Sequence, residues 1–176
     1  MAETEQVPVH EQIPVQDEYF LLWVLIAQTK DAILRARERD YARYGITNDR
    51  RAVLYAIERN GGSATPVEIS RNLFRELHSV TEMLKRMEAD GLITREKTSG
   101  RSRIVAKITE KGLDVFNESL HNETDKRVFS VLTKRERERL RSSLMKVRSR
   151  VLQDLGIPEW QLNLVLPTEA ADEQGS

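Results

Sequence analysis

The stretch from Thr65 to Gly91 limits the possible folds of this chain more than any other part of its sequence. It opens with Thr65-Pro66-Val67-Glu68, in which an N-cap threonine, a proline at the first helical position and a glutamate at the third form a capping box. This pattern predicts a short helix to about residue 73, followed after a brief turn by a second helix over about 76–90 that Gly91 closes. The second helix has an apolar face for burial, formed by Val80, Met83, Leu84 and Met87.

After Gly91 the periodicity changes from helical to alternating. Residues 92–95 and 103–108 alternate around Thr98-Ser99-Gly100, which predicts a hairpin with a polar, basic tip. A short helix, a turn, a second helix and a two-stranded hairpin follow one another in a winged helix-turn-helix. In that unit the second helix fits the major groove of DNA, which is about 12 Å wide, and the hairpin, or wing, reaches the backbone or minor groove beside it.

A long helix over about 19–44 precedes this unit, and Gly45 is placed to end it. Its N-terminal half is apolar nearly all round, because apolar residues follow one another without interruption from Tyr19 to Ala27. Such a helix must be covered on several sides, and a chain of 176 residues supplies few other elements to cover it. A second subunit is the economical cover, so we expect a homodimer.

Three further helices are predicted. One starts at an N-cap Thr47 and stops before Gly61-Gly62, and another begins at Thr109 and is expected to run towards Leu132. A second capping box, Thr133-Lys134-Arg135-Glu136, opens the last helix. Along that helix apolar residues recur at steps of three and four: Leu140, Leu144, Val147 and Val151.

The complete predicted fold is mostly α (α+β), with a winged helix-turn-helix domain and a helical dimerisation region formed by the N- and C-terminal helices. Two prolines disfavour helix in the first 16 residues, and residues 160–166 alternate largely as an extended segment would. The predicted parts are an acidic extended arm (1–17), an N-terminal dimerisation helix (18–45), the winged helix-turn-helix DNA-binding domain (46–112), C-terminal dimerisation helices (113–155) and an acidic C-terminal tail (156–176).

The distribution of charge favours a nucleic-acid partner, although 28 basic and 28 acidic residues give a formal net charge of zero. Residues 1–18 and 154–176 each contain five acids and neither Lys nor Arg, so residues 19–153 carry a net charge of +10. Clustered Lys and Arg supply the affinity of proteins for polyanions. We therefore predict double-stranded DNA as the partner.

The predicted DNA-facing residues lie in two places. The exposed face and N-terminus of the second helix offer Arg75, Glu76, His78, Ser79, Thr81, Glu82, Lys85 and Arg86. The wing offers Arg95, Lys97, Arg101 and Arg103. Nothing structural requires arginines at a hairpin tip, whereas the basic residues of the last helix are explained more simply as a solvated face.

Composition excludes several other classes of protein. The absence of cysteine removes disulfides, thiolate nucleophiles and sensors that work by thiol oxidation. His10, His78 and His121 lie far apart, so a metal site would need scattered carboxylates, and we expect neither metal nor cofactor. The longest apolar run has nine residues, less than half of the roughly 20 that cross a bilayer. We expect a cytoplasmic protein with no membrane partner.

Two rival functions belong to other classes. An enzyme has little support, because the chain has no nucleophile elbow, no Gly-rich phosphate loop and no histidine paired with a neighbouring acid. A winged helix can also act as a protein-interaction module without specific DNA binding. Such a module has no need of positive charge at both the second helix and the wing tip.

Four motifs resemble the MarR family of regulators, over roughly residues 19–155. Residues 65–73 are similar to the family's T-x-x-E-L-A-x-x-L helix, and residues 78–93 to its S-T-V-S-R-x-V-x-R-L-E-x-x-G-L-V recognition helix. Residues 108–112 match L-T-x-x-G, and residues 132–140 match L-T-x-x-E-x-x-x-L. Each motif alone is weak, but four in the right order and spacing are specific.

The resemblance implies a two-fold dimer held by the first helix and the last two. It implies binding to a pseudo-palindromic operator near promoters, usually as a repressor. It also implies that a small effector, often an aromatic or phenolic acid, binds between the dimer helices and the winged domain and changes the spacing of the two recognition helices. Four aromatic residues with polar tips are candidates for such a pocket, the alternative for each being the dimer core: Tyr19, Trp23, Tyr41 and Tyr44.

The chain departs from the family pattern at three places. Phe74 stands where the family usually has glycine, so we expect a tighter-packed or helical turn. Glu82 replaces a common arginine, which alters base preference and removes a phosphate or base contact. The wing has Gly100-Arg101-Ser102-Arg103 in place of D-x-R, which leaves open whether Arg101 or Arg103 enters the minor groove.

Overall fold

The structure, a computed structural model, describes residues 17–97 and 104–158. Within these residues the chain forms seven α-helices, a 3-10 helix and a three-stranded antiparallel sheet, which confirms the predicted fold class. The helices are α1 (Glu18–Tyr41), α2 (Asn48–Arg59), α3 (Pro66–Leu73), α4 (Leu77–Ala89), α5 (Glu110–Ser119), α6 (Thr124–Phe129) and α7 (Lys134–Asp154), with the 3-10 helix at Ala42–Tyr44. The strands are β1 (Ser63–Ala64), β2 (Ile93–Lys97) and β3 (Ile104–Ile108), in the order β1-β3-β2. Residues 1–16 of the predicted N-terminal arm, the segment 160–166 and the wing tip (98–103) lie outside the described residues.

Both predicted capping boxes are confirmed. At the start of α3, the Thr65 hydroxyl accepts from the Glu68 N–H at 3.2 Å, and the Glu68 carboxylate accepts from the Thr65 N–H at 2.7 Å. The same reciprocal pair joins Thr133 and Glu136 at the start of α7. Each box satisfies N–H groups that the first helical turn leaves without a partner, so the two helix starts are fixed by local sequence.

The turn between α3 and α4 has a conformation that glycine usually supplies. Phe74 ends α3 with a φ of 50°, in the left-handed region, and its side chain is 56% exposed. The expectation of a helical or tighter-packed turn is therefore wrong. The backbone still turns as it would at a glycine, because the Arg75 N–H donates to the Ser70 carbonyl at 3.0 Å and the Ser70 hydroxyl donates to the Arg75 carbonyl at 2.8 Å. These bonds hold a conformation that costs an L-residue about 1–2 kcal/mol.

The predicted hairpin is confirmed over its paired residues, and it has an additional partner. β2 and β3 pair from Ile93 opposite Ile108 to Lys97 opposite Ile104. β1 adds two residues on the other side of β3, with Ala64 opposite Ala106. A two-residue strand is too short to show alternation in sequence, so only the folded chain reveals it.

The predicted helix from Thr109 towards Leu132 is confirmed at its start, where Thr109 is the N-cap of α5, but its predicted extent is wrong, because the helix is interrupted between α5 and α6. The Asn122 carboxamide oxygen accepts from the Thr124 N–H at 2.7 Å, a local bond that competes with the helical pattern. Thr124 is fully buried, and its hydroxyl donates to the Asp40 carboxylate of α1. This tertiary contact favours a new helix start that the apolar spacing did not indicate.

The buried core lies between α2, α3, α4 and the sheet. Leu54, Ile57, Ile69, Leu84 and Ile93 are fully or almost fully buried there. Burial of a side chain of this size contributes roughly 1.5–3 kcal/mol. The core therefore fixes one face of α4 and leaves the opposite face outward.

The two ends of the chain contrast with this core. The first two turns of α1 and one stripe of α7 carry large apolar side chains that are substantially exposed in the single chain: Tyr19, Phe20, Leu21, Leu22, Trp23, Leu25 and Ile26 on α1, and Leu140, Leu144, Val147 and Val151 on α7. Among the residues that the structure describes, no helix is both long and apolar enough to span a membrane.

Candidate nucleic-acid interface

The orientation of α4 follows from its buried residues. Val80, Leu84 and Met87 are fully buried, and successive residues of a helix are about 100° apart. Residues two positions from a buried one therefore lie on the opposite side. The outward surface of α4 and the turn before it contains six predicted residues: Arg75, His78, Ser79, Glu82, Lys85 and Arg86.

An ion pair joins the turn before α4 to the start of α2. Arg75, in the turn, forms an ion pair at 2.5 Å with Asp49, in the first turn of α2, and about half of each side chain is exposed. Glu76 is the N-cap residue of α4 and is exposed. Sequence reasoning missed Asp49, since 26 residues separate it from Arg75 and no local pattern marks the pair.

Charged groups on the outer face of α4 also contact one another. The Lys85 ammonium lies 2.6 Å from the Glu82 carboxylate, and the Arg86 guanidinium donates to the Glu82 carbonyl at 3.4 Å. The hydrogen bond from Lys85, followed by its charge, lowers the pKa of the Glu82 carboxyl. The Glu82 side chain and carbonyl are thus in contact with two cations, Lys85 and Arg86.

Thr81 stands apart from this face. Its side chain is partly buried, and its hydroxyl donates to the Leu77 carbonyl at 2.8 Å within the helix. This hydroxyl has already used its one hydrogen.

At the base of the wing, Arg95 is held against α4. Two of its guanidinium nitrogens lie 2.7 and 2.6 Å from Oε2 of Glu88, and its N–H donates to the other oxygen of the same carboxylate at 3.0 Å. The side-chain hydrogen bond from Arg95 lowers the pKa of the Glu88 carboxyl. Arg95 therefore fastens β2 to α4, a role that the sequence did not indicate.

We expect Arg95→Ala to lower the free energy of unfolding at neutral pH. Because the folded-state pKa of Glu88 is lowered, the stabilisation is present above the unfolded pKa of the carboxyl and is lost as the pH falls through the folded pKa. Urea unfolding of both proteins at about pH 7 and about pH 3 checks this, with a difference that shrinks at the lower pH. Lys107→Ala, which breaks an exposed pair with Glu96 on the same hairpin, is the matched control. An Arg95 effect of equal size at both pH values would show that packing, not the ion pair, accounts for it.

The outer wing is only partly described. Lys97 ends β2 and is exposed. Arg101 and Arg103 lie outside the described residues, so their predicted approach to DNA stays a prediction.

The four candidate pocket residues do not lie together in one chain. Tyr19 and Trp23 are exposed near the start of α1, whereas Tyr41 is 1% exposed and belongs to the core. Tyr19 and Tyr41 are 22 residues apart on one helix, about 33 Å at a rise of 1.5 Å per residue. A single subunit therefore cannot build one small-molecule pocket from all four.

Tyr41 instead contributes to the packing of three helices. The Arg37 guanidinium donates to its hydroxyl at 2.6 and 3.2 Å, and the Arg51 guanidinium lies 5.5 Å from its ring centre and 5.4 Å from that of Phe116. These stacked charges and rings join α1, α2 and α5. Tyr44 is half-buried and packs against the same core.

A shallow groove lies between α1 and the start of α2. It is lined by Leu34, Arg35, Glu38, Thr47, Asn48 and Asp49. The Glu38 carboxylate accepts from the Asn48 backbone at 3.0 Å and from its side chain at 2.6 Å, so the two helices are fastened at this point. Within residues 17–97 and 104–158, no three His, Asp or Glu side chains are grouped closely enough to hold a metal ion.

The chain is similar to known proteins both in sequence and in structure. The MarR family profile matches residues 44–104. An organohalide-sensing transcriptional regulator, RdhR, solved with 2,4-dichlorophenol bound, is 32% identical, with a TM-score of 0.71 over 83% of this chain and 90% of that one. MarR from E. coli in complex with operator DNA is 24% identical, with a TM-score of 0.69 over 76% of this chain and 97% of that one. The S. aureus MepR–DNA complex is 21% identical, with a TM-score of 0.65 over 76% and 99%.

Among curated proteins, none matches the chain significantly in sequence. The structural matches span almost the whole length of each relative, so the likeness extends beyond the winged helix to the flanking helices. Proteins of this family are transcription regulators rather than enzymes. The chain belongs to the MarR family of DNA-binding transcription regulators.

Proposed function

We propose that the protein is a homodimeric repressor that binds a pseudo-palindromic operator and is released from it by a small phenolic effector. The observation that supports DNA binding is the outward face of α4. The buried core fixes the direction of this face, which presents His78, Glu82, Lys85 and Arg86 together. Each subunit places this face in one major groove, with the wing alongside. The two half-sites are then about 34 Å apart, one turn of the duplex.

The apolar surfaces on α1 and α7 support the dimer. Contiguous exposed patches of large apolar side chains are rare on monomers and mark interaction surfaces. A second copy of the chain presents the same surfaces, which is what a two-fold interface requires. Pairing of α1 and α7 with their counterparts also leaves α4 free for DNA.

A small phenolic effector is supported by the relative RdhR, which was solved with 2,4-dichlorophenol bound. In this chain the groove between α1 and α2 is a better candidate site than the four predicted aromatic residues, because those residues lie far apart within one subunit. The groove lies between a proposed dimerisation helix and the winged domain. One of its lining residues, Asp49, is ion-paired with Arg75 in the turn before the recognition helix, so a ligand there would act next to the DNA-facing surface.

The effector is tested with 2,4-dichlorophenol as the probe. Added to the protein–operator complex, it should dissociate the DNA at concentrations that leave the dimer intact. The matched variant is Asn48→Ala, which removes the hydrogen bonds from the Asn48 side chain of α2 to α1. This variant should change the concentration of 2,4-dichlorophenol that is needed to release the DNA. An unchanged DNA affinity at saturating phenol would contradict a phenolic effector.

The phosphate role of the outer face gives a further prediction. We expect Arg86→Ala to weaken binding to specific and scrambled duplexes alike and to reduce the slope of log affinity against log salt by about two, because each subunit loses one phosphate contact. Fluorescence anisotropy across a salt series measures this slope. Arg59→Ala, at the exposed end of α2, is the control and should leave the slope unchanged. A loss confined to the specific duplex would show that Arg86 reads a base instead.

A further inference from the structure

Glu82 is an acidic residue at the centre of the outward face of α4. It is two positions from both Val80 and Leu84, which are fully buried, and therefore lies opposite the core. Its side chain is 41% exposed. His78 and Arg86, one helical turn to either side, are exposed as well. Glu82 is thus directed to where the floor of a major groove would lie in the proposed complex.

The chemistry of a carboxylate limits what Glu82 can contact in DNA. An ionised carboxylate only accepts hydrogen bonds, and phosphate oxygens repel it. In the major groove guanine offers only acceptors, and thymine an acceptor and a methyl group. The remaining donors are the N4 amino group of cytosine and the N6 amino group of adenine. Adenine places its N7 acceptor beside N6, which disfavours an approaching carboxylate, so cytosine is the matching base.

The surroundings of Glu82 suit this acceptor role. Lys85 donates to the carboxylate at 2.6 Å, and this hydrogen bond lowers the pKa of a carboxyl that, at a partly exposed site, is already ionised at neutral pH. The same cation offsets the repulsion between the carboxylate and the phosphates on either side of the groove. One carboxylate oxygen can accept from Lys85 while the other accepts from a base, since the two oxygens together offer about four acceptor positions.

We propose that Glu82 is a specificity-determining residue that accepts a hydrogen bond from the N4 amino group of a cytosine in each operator half-site. This inference rests on the proposed function, because it requires α4 to lie in a major groove. Glu82 stands where the family commonly has arginine, and the proposal gives this carboxylate a direct contact with one base.

The test is selection of duplexes from a pool of random sequence by the wild-type protein and by Glu82→Gln. Glutamine has the same shape, but its amide both donates and accepts and so pairs with N7 and N6 of adenine. We expect one position of each half-site to change from cytosine in the wild-type selection to adenine in the variant selection, with the other positions retained. In direct titration, exchanging that cytosine for adenine should weaken the wild type about tenfold and strengthen the variant. Glu110→Gln, at the exposed start of α5, is the control and should select the wild-type sequence.

Two results would overturn the inference alone. The same half-site selected by wild type and Glu82→Gln would show that Glu82 reads no base. A uniform loss of affinity across all duplexes would show that Glu82 only orients Lys85. If the wild-type protein enriched no sequence, the proposed function would fail and the inference with it.

Discussion

Replacement of Gly112 by alanine should destabilise the folded chain by about 3 kcal/mol or more. A Cβ atom at this position would lie 2.0 Å from the Leu92 carbonyl oxygen and 3.0 Å from its carbon. Both are backbone atoms of the segment that leads from α4 into β2, so relief requires α5 to move away from the sheet. Overpacking a core side chain typically costs 1–3 kcal/mol, and a backbone contact this short belongs at or above the upper end. Alanine's helix propensity, better than glycine's by about 1 kcal/mol, offsets only part of the loss.

The matched control for this prediction is Gly45→Ala. It adds the same methyl group at a left-handed turn, with φ of 65° and nothing within 4 Å, so it should cost only the conformational strain of about 1–2 kcal/mol. Urea unfolding followed by circular dichroism measures both free energies. Equal losses in the two variants would show that α5 is not packed tightly on the Leu92 carbonyl.

Replacement of Leu22 by aspartate should abolish dimerisation and reduce operator affinity by about 10²–10⁴-fold. Leu22 is 56% exposed in the single chain, so the isolated subunit tolerates a polar residue there. In the proposed dimer the same position is covered by the partner, and an unpaired carboxylate in an apolar interface costs several kcal/mol. A monomer engages one half-site only and loses the gain in affinity that comes from joining two binding sites.

Sedimentation equilibrium and operator binding of Leu22→Asp test this prediction together. Circular dichroism should show an unchanged helical content. Ala89→Asp adds the same charge at the exposed end of α4, outside the predicted dimerisation helices, and should remain dimeric. A Leu22→Asp protein that stays dimeric would place the interface elsewhere than the first turns of α1.

Local signals explain how much of this structure could be predicted from the sequence. The capping boxes at Thr65 and Thr133 each lie within four consecutive residues, and both helix starts are where the sequence placed them. The outward direction of the polar face of α4 followed from the spacing of its apolar residues. His78, Ser79, Lys85 and Arg86 are exposed on it, whereas Thr81 and Glu82 are partly buried, and contact of this face with DNA stays a prediction.

The features that could not be predicted from the sequence depend on contacts between residues far apart in the chain. Arg75 was expected to face DNA, but nothing near it indicates that Asp49, 26 residues earlier, forms an ion pair with it. Arg95 similarly has a partner on another element, Glu88, which faces it only because the sheet packs on α4. The break before Thr124 depends on its buried hydroxyl and Asp40 of α1, 84 residues away. Tyr41 was a candidate pocket residue because its type suits phenols, but its burial is a property of the assembled core.

The most direct test of the central claim is fluorescence anisotropy of a labelled duplex from the region upstream of the protein's own gene, compared with a scrambled duplex, between about 50 and 200 mM salt. We predict tight binding that prefers the native duplex and weakens steeply as salt rises, since basic side chains on α4 and the wing displace counterions from the phosphates. Weak binding, equal on the two duplexes and insensitive to salt, would contradict the assignment of α4 to a major groove and show that this surface serves another partner.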